Sequence, residues 1–298
     1  MMDQAVEIFE VGPRDGLQNE PAFISSEDKI ALTQALAHAG LLRIECASFV
    51  SPKWVPQMAD AAQVVEGAMP SAAQLYALAP NMRGLRAALG TPVGGLCVFI
   101  AATEGFSRAN TNISLSGAEE RVREVIAAFK TEAPTGVRLR GYISCVTECP
   151  YDGPVSPSEV ARLAELLHRA GCDEISLGDT IGTAYPEQVA RMLEAVVQRV
   201  PAEALAGHFH DTAGRALANI DTSLDYGVRI FDATIAGLGG CPYAPGAKGN
   251  VDTELVYDHL IARGYAVSGN PDRARLAQAA RLARHILGRT EEGAEDAI

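Results

Sequence analysis

The chain has 298 residues and a formal net charge of −12, with 25 Lys+Arg against 37 Asp+Glu. Hydrophobic residues make up 48% and charged residues 21%, ordinary globular values that exclude a disordered, collagen-like or coiled-coil chain. The acidic balance argues against nucleic-acid binding, which needs a basic stripe, but leaves room for a small anionic ligand in a locally basic site.

In chain order, short apolar runs alternate with longer helical patterns. Val6–Val11 predicts a strand, followed by a helix over Ser26–His38 that Ser25/Ser26 opens. Leu42–Ala47 and Met58–Gly67 form a second unit, Gln74–Leu78 and Met82–Leu89 a third. Leu96–Ala101 and Gly117–Lys130 form the fourth, its helix opened by Ser116 with Glu119 in the capping-box position. Val137–Ser144 with Pro157–Ala170, Glu174–Leu177 with Pro186–Val200, Leu205–His210 with Gly214–Tyr226, and Ile230–Ile235 with Thr253–Arg263 complete eight. Gly40, Gly171 and Gly227 are the expected helix stops.

Eight strand-then-helix units is the count of a closed (β/α)8 TIM barrel, an α/β fold. The expected organisation is one catalytic domain over 1–298. Pro271–Leu287 forms a further amphipathic helix packed on the barrel, and an acidic tail follows within 271–298. Gly-Pro-Arg-Asp-Gly after Val11 is not G-x-G-x-x-G, which disfavours a dinucleotide-binding sheet. The longest charge-free stretch, Ala87 to Thr103, is broken by Gly90, Pro92, Gly94 and Gly95 and reads as turn and strand rather than a membrane span. The N-terminus shows no secretory signal. Six scattered cysteines make no disulfide framework, so a cytoplasmic location is expected.

In such a barrel, chemistry sits at the C-terminal ends of the strands. The seventh ends in His208-Phe209-His210-Asp211, whose two histidines share a strand face and form a candidate metal pair. The first ends in Arg14-Asp15, an oxygen ligand beside a guanidinium, which alone could be a surface ion pair. The second carries Glu45 among apolar residues, either catalytic or holding Arg14. The sixth ends Ser176-Leu177-Gly178-Asp179-Thr180, where Asp179 is a rim carboxylate or a turn cap. A glycine-rich loop from Gly237 to Asn250 reads as a lid, with Cys241 a candidate proton donor and Asn250 a neutral ligand. Cys145 and Cys149 lack further zinc ligands and read as packing, and His38, His168, His259 and His285 as structural or surface residues.

These segments resemble a known family. Val11-Gly-Pro-Arg-Asp-Gly-Leu-Gln-Asn-Glu20, Ser48-Phe-Val-Ser-Pro-Lys-Trp-Val-Pro-Gln-Met58, Ser176-Leu-Gly-Asp-Thr180 and Gly239-Gly-Cys-Pro-Tyr-Ala244 are similar to hydroxymethylglutaryl-CoA lyases, over about Val6 to Tyr257. The resemblance implies retro-Claisen cleavage of 3-hydroxy-3-methylglutaryl-CoA to acetyl-CoA and acetoacetate, in leucine breakdown or ketone-body formation. It implies that Asp15, His208, His210 and Asn250 ligate a divalent cation, Mg²⁺ or Mn²⁺. Asp15 and His208 also count among its catalytic groups. Arg14 would stabilise the enolate, Cys241 would take part in proton transfer, and Glu45 and Asp179 would support them. Asn110, Ser48, Ser176 and Thr180 would line the acyl-CoA site. The family commonly has a lysine where this chain has Pro21, so Lys248 or Lys53 is the candidate replacement cation. A longer 3-hydroxy-3-alkylglutaryl-CoA is an alternative substrate, and an aldolase or Claisen synthase acting on a 2-oxo acid an alternative reaction. A homodimer is expected, with the last helix a plausible element of it.

Overall fold

A computed structural model describes residues 5–239 and 249–288. Its barrel strands are β1 (Glu7–Glu10), β2 (Arg43–Ser48), β3 (Gln74–Leu78), β4 (Gly95–Ala101), β5 (Arg138–Ser144), β8 (Glu174–Asp179), β9 (Leu205–Phe209) and β10 (Ile230–Ala233). They close in the order β1-β10-β9-β8-β5-β4-β3-β2, all parallel, and β6 (Glu148–Cys149) and β7 (Gly153–Pro154) form a separate short ribbon. The expected eightfold barrel is therefore the fold.

The helices are α1 (Ser26–His38), α2 (Ala61–Gly67), α3 (Met82–Leu89), α4 (Glu104–Thr111), α5 (Leu115–Glu132), α6 (Pro157–Ala170), α7 (Pro186–Val196), α8 (Ala216–Asp225), α9 (Thr253–Ala262) and α10 (Arg273–Ile286). Between helices and strands lies an aliphatic layer containing Leu32, Leu36, Val64, Leu85, Leu163 and Ile220, which drives the wrapping of the helices. Inside the barrel, Phe9, Tyr76 and Tyr142 pack with Leu78 and Cys97. Ser25 Oγ accepts from the Asp28 amide, so the first helix is capped as the sequence suggests.

Several boundaries differ from the sequence expectations. Helix α5 starts at Leu115, and its cap is Ser114 Oγ accepting from the Gly117 amide, not Ser116. Helix α4 was not expected, because its polar sequence lacks an apolar period. Helix α2 begins three residues later than read, after a short turn at Pro56–Met58, and α7 ends at Val196. After β10 the chain leaves the sheet through a tight turn at Ile235–Gly237, with Ala236 at φ 57°. Helix α10 buries Leu276, Ala279, Ala280 and Ala283, spending its apolar face on the barrel. None of the described helices is long and apolar enough to cross a membrane.

Candidate active site

The site begins with a turn at the end of β1. Over Gly12–Gly16 the amides of Asp15 and Gly16 both donate to the Val11 carbonyl, at 2.7 and 3.3 Å. This turn throws Arg14 and Asp15 across the barrel mouth. Beneath it the buried Glu10 carboxylate accepts from the Gly12 amide (2.8 Å), the Ile235 amide (2.9 Å) and Thr253 Oγ1 (2.6 Å), pinning the turn to the far end of β10 and to α9.

Arg14 Nη1 lies 2.5 Å from Asp15 Oδ1, and Nη2 donates to Glu45 Oε2 at 2.6 Å. Tyr142 donates its hydroxyl proton to the same Glu45 oxygen (2.9 Å), and its ring lies 5.6 Å from the guanidinium. Glu45, fully buried, thus holds Arg14 in one orientation.

On β9, His208 and His210 share a face with ring centroids 5.3 Å apart. Their ring nitrogens and an Asp15 oxygen lie within 4.8 Å of one another. Asn250 reaches this cluster because residues 249–251 run back along β9. The Asp211 amide donates to the Gly249 carbonyl (2.7 Å), and Asn250 Nδ2 donates to Asp15 Oδ2 (2.8 Å).

Charge here is strongly biased. Burial disfavours the Asp15 carboxylate, but Arg14, His208 and His210 outweigh it and hold this carboxyl well below the usual range. Burial would lower the His208 pKa, yet the hydrogen bond and charge of Asp232 raise it above 6.5. His210 is lowered to about 4 by burial and by His208, which outweigh the nearby Asp15 charge.

A deeper network, missed from sequence, supports these groups. Asp232 on β10 holds His208 Nδ1 at 3.0 Å through Oδ2, accepts from Ser176 Oγ on that same oxygen (3.0 Å), and pairs through Oδ1 with Arg140 Nη2 at 2.5 Å. Arg140 also donates to the Tyr142 oxygen (3.0 Å) and forms an ion pair with Glu174, Nε to Oε1 2.6 Å, without the alignment of a hydrogen bond. The available signal was a set of charged residues inside apolar strands, each costly to bury alone.

With Asp232 on His208 Nδ1, that ring's Nε2 is left for the cavity. His210 Nδ1 is buried with no partner among the described residues. Two imidazoles, an ionised carboxylate and an amide are a donor set that fits a divalent cation.

The cluster opens into a cavity of about 820 Å³ whose lining includes Arg14, Asp15, Ser48, Asn110, Thr180, His208, His210 and Asn250. Ser48 is buried, and its Oγ has no partner among the described residues. Asn110 is brought there by α4. Thr180 Oγ1 accepts from the Cys145 amide at 2.8 Å. Ser176 lies below the cavity, on Asp232. Asp179 is buried at the end of β8 and accepts from the Ala184 amide (3.0 Å) and Thr147 Oγ1 (3.4 Å), the contacts of the turn-cap alternative. Lys53 is exposed and does not line the cavity, whereas Arg108 and Arg121 do. Cys241 and Lys248 lie outside the described residues. Cys145 and Cys149 are buried packing residues.

The chain matches the HMGL-like family over residues 5–283. It is 49% identical over 290 residues to a Pseudomonas aeruginosa protein named 3-hydroxy-3-isohexenylglutaryl-CoA/hydroxy-methylglutaryl-CoA lyase, covering 97% of this chain and 95% of that one. The hydroxymethylglutaryl-CoA lyase of Pseudomonas mevalonii is 45% identical over 94% of this chain and 99% of its own. The solved HMG-CoA lyase of Brucella melitensis superposes with a TM-score of 0.92 at 49% identity, covering 96% of this chain and all (100%) of that one.

Proposed function

The chain belongs to the HMGL-like family and is a carbon–carbon lyase, and from that premise we propose that it cleaves 3-hydroxy-3-methylglutaryl-CoA to acetyl-CoA and acetoacetate. The observation that carries this reading is the joining of Arg14 to the Asp15–His208–His210 cluster at one cavity floor. The whole chain, 1–298, is read as one catalytic domain.

Asp15, His208 and His210, with Asn250 beside them, would hold a divalent cation, Mg²⁺ or Mn²⁺. When bound, such an ion would supply Lewis-acid polarisation of the substrate's tertiary hydroxyl, easing loss of its proton. The hydroxyl proton leaves to Asp15 or His208. Of the two, Asp15 is the acceptor with a lone pair to spare, because the His208 ring has Nδ1 on Asp232 and would give Nε2 to the cation. The C2–C3 bond then breaks. Its electron pair becomes the thioester enolate, and C3 becomes the ketone of acetoacetate. Arg14, fixed by Glu45 and Tyr142, faces the cavity where that enolate oxygen develops and stabilises it without reorganising. Cys241 on the glycine-rich loop donates the proton that C2 needs.

The room in the cavity, and the double name of the Pseudomonas aeruginosa relative, favour a second substrate with a longer 3-alkyl chain. A reducing compartment such as the cytoplasm suits the five described cysteines, all unpaired and buried. A homodimer is the proposed assembly, to be checked by sedimentation.

The test is release of acetoacetate and acetyl-CoA from the methyl substrate with Mg²⁺, with Mn²⁺ and after chelation, beside a Cys241→Ala variant. Metal-dependent turnover that collapses in the variant is expected. A folded, metal-loaded protein that leaves the methyl substrate intact contradicts the reading. Turnover of a longer ester alone moves the function to the second substrate.

A further inference from the structure

Arg121 sits on α5 and lines the cavity, where it also borders a smaller crevice against β4 shared with Asn110. It is half-buried and has no hydrogen-bond or ion-pair partner among the described residues. The helix explains why. One turn away on its own face stand Gly117, Ala118 and Val125, which cannot pair with a guanidinium, and Glu124 faces solvent. Two residues on, Arg123 takes Glu119 at 3.0 Å, and Arg162 takes the other Glu119 oxygen at 2.6 Å.

The cavity's other described arginines are committed: Arg14 to Asp15 and Glu45, Arg108 to Glu104 at 2.6 Å. In a chain with net charge −12, where carboxylates outnumber cations, a half-buried guanidinium without one is unusual. Its planar fork matches a carboxylate or phosphate in two parallel hydrogen bonds.

We propose that Arg121 is a substrate-binding residue that takes an anionic oxygen group of the acyl-CoA, either a phosphate of the CoA nucleotide or the free carboxylate of the acyl chain. Asn110, which borders the same two cavities, offers an amide to the same group. This inference rests on the acyl-CoA reading above.

The test compares wild type with Arg121→Gln and Arg121→Lys. Calorimetry gives the affinity for CoA itself, with no turnover required. Steady-state kinetics then uses the CoA ester and the pantetheine ester of the same acyl group, which lacks the phosphates. If Arg121 holds a phosphate, the Gln variant loses about tenfold or more in CoA affinity, and the pantetheine ester is unaffected. If it holds the carboxylate, CoA affinity stays and KM for both esters rises by about tenfold or more. In either case kcat stays within about threefold, and the Lys variant falls between wild type and Gln. Unchanged CoA affinity together with unchanged KM for both esters in the Gln variant overturns the inference. A wild type that binds CoA but cleaves nothing sinks the lyase reading and leaves the CoA arm readable. A wild type that binds neither CoA nor ester overturns both.

Discussion

Asp232→Asn tests whether the buried network sets the cluster above it. The change keeps the side chain's size but removes a charge that is 2% exposed and faces Arg140 at 2.5 Å, His208 at 3.0 Å and Ser176 at 3.0 Å. Breaking a buried ion pair from one side costs about 3–5 kcal/mol. Glu174 remains 2.6 Å from Arg140 Nε, so the loss should sit near about 3 kcal/mol. His208 loses the partner that fixes its ring and raises its pKa, and loss of such an outer partner weakens metal binding about 10–100-fold. Thermal unfolding with and without Mn²⁺, beside a Mn²⁺ titration, reads both effects. Ser176→Ala is the control, removing one hydrogen bond at a cost of about 1 kcal/mol. Mn²⁺ affinity within about twofold of wild type in Asp232→Asn would refute the reasoning.

Arg14→Gln removes the cation that faces the enolate and leaves the buried Glu45 with Tyr142 alone, so kcat should fall about 10²–10³-fold with KM little changed. A variant with wild-type kcat would remove Arg14 from the chemistry. Glu10 offers a pH signature, because burial raises its carboxyl from 4.5 to about 7. The folded state therefore holds this proton more tightly than the unfolded chain. The contribution is fully present below pH 4.5 and lost as pH rises through about 7, on the order of 3 kcal/mol. Glu10→Gln should flatten stability between about pH 5 and pH 7, and parallel curves for variant and wild type would rule out Glu10 as the source. Chelation should abolish cleavage while far-UV circular dichroism stays unchanged, with Mn²⁺ restoring activity. Activity that survives chelation and dialysis would show that the cluster needs no cation.

The barrel was legible because parallel strands buried on both faces read as short apolar runs, each followed by an amphipathic helix. His208 and His210 stood out for their i, i+2 spacing at a strand end, and Arg14 and Asp15 for their place after the first strand. The partners of those groups were not legible, since Arg140 and Asp232 stand 92 residues apart and meet only inside the closed barrel. For Asp179 the sequence left a rim carboxylate and a turn cap open, because both roles put a carboxylate at the end of a strand, and the contact with the Ala184 amide appears only in the folded turn. Helix α4 escaped notice because Glu104–Thr111 is polar and held by Thr103, which caps the Phe106 amide, rather than by an apolar stripe.

The central claim is that C–C cleavage leaves an enolate that is protonated at C2. Cleavage of the methyl substrate in D₂O, read by mass spectrometry of the acetyl-CoA formed, tests it most directly. One solvent deuterium in the acetyl methyl group is the result expected. Acetyl-CoA formed without deuterium, or CoA released with the six-carbon acyl chain intact, would contradict it.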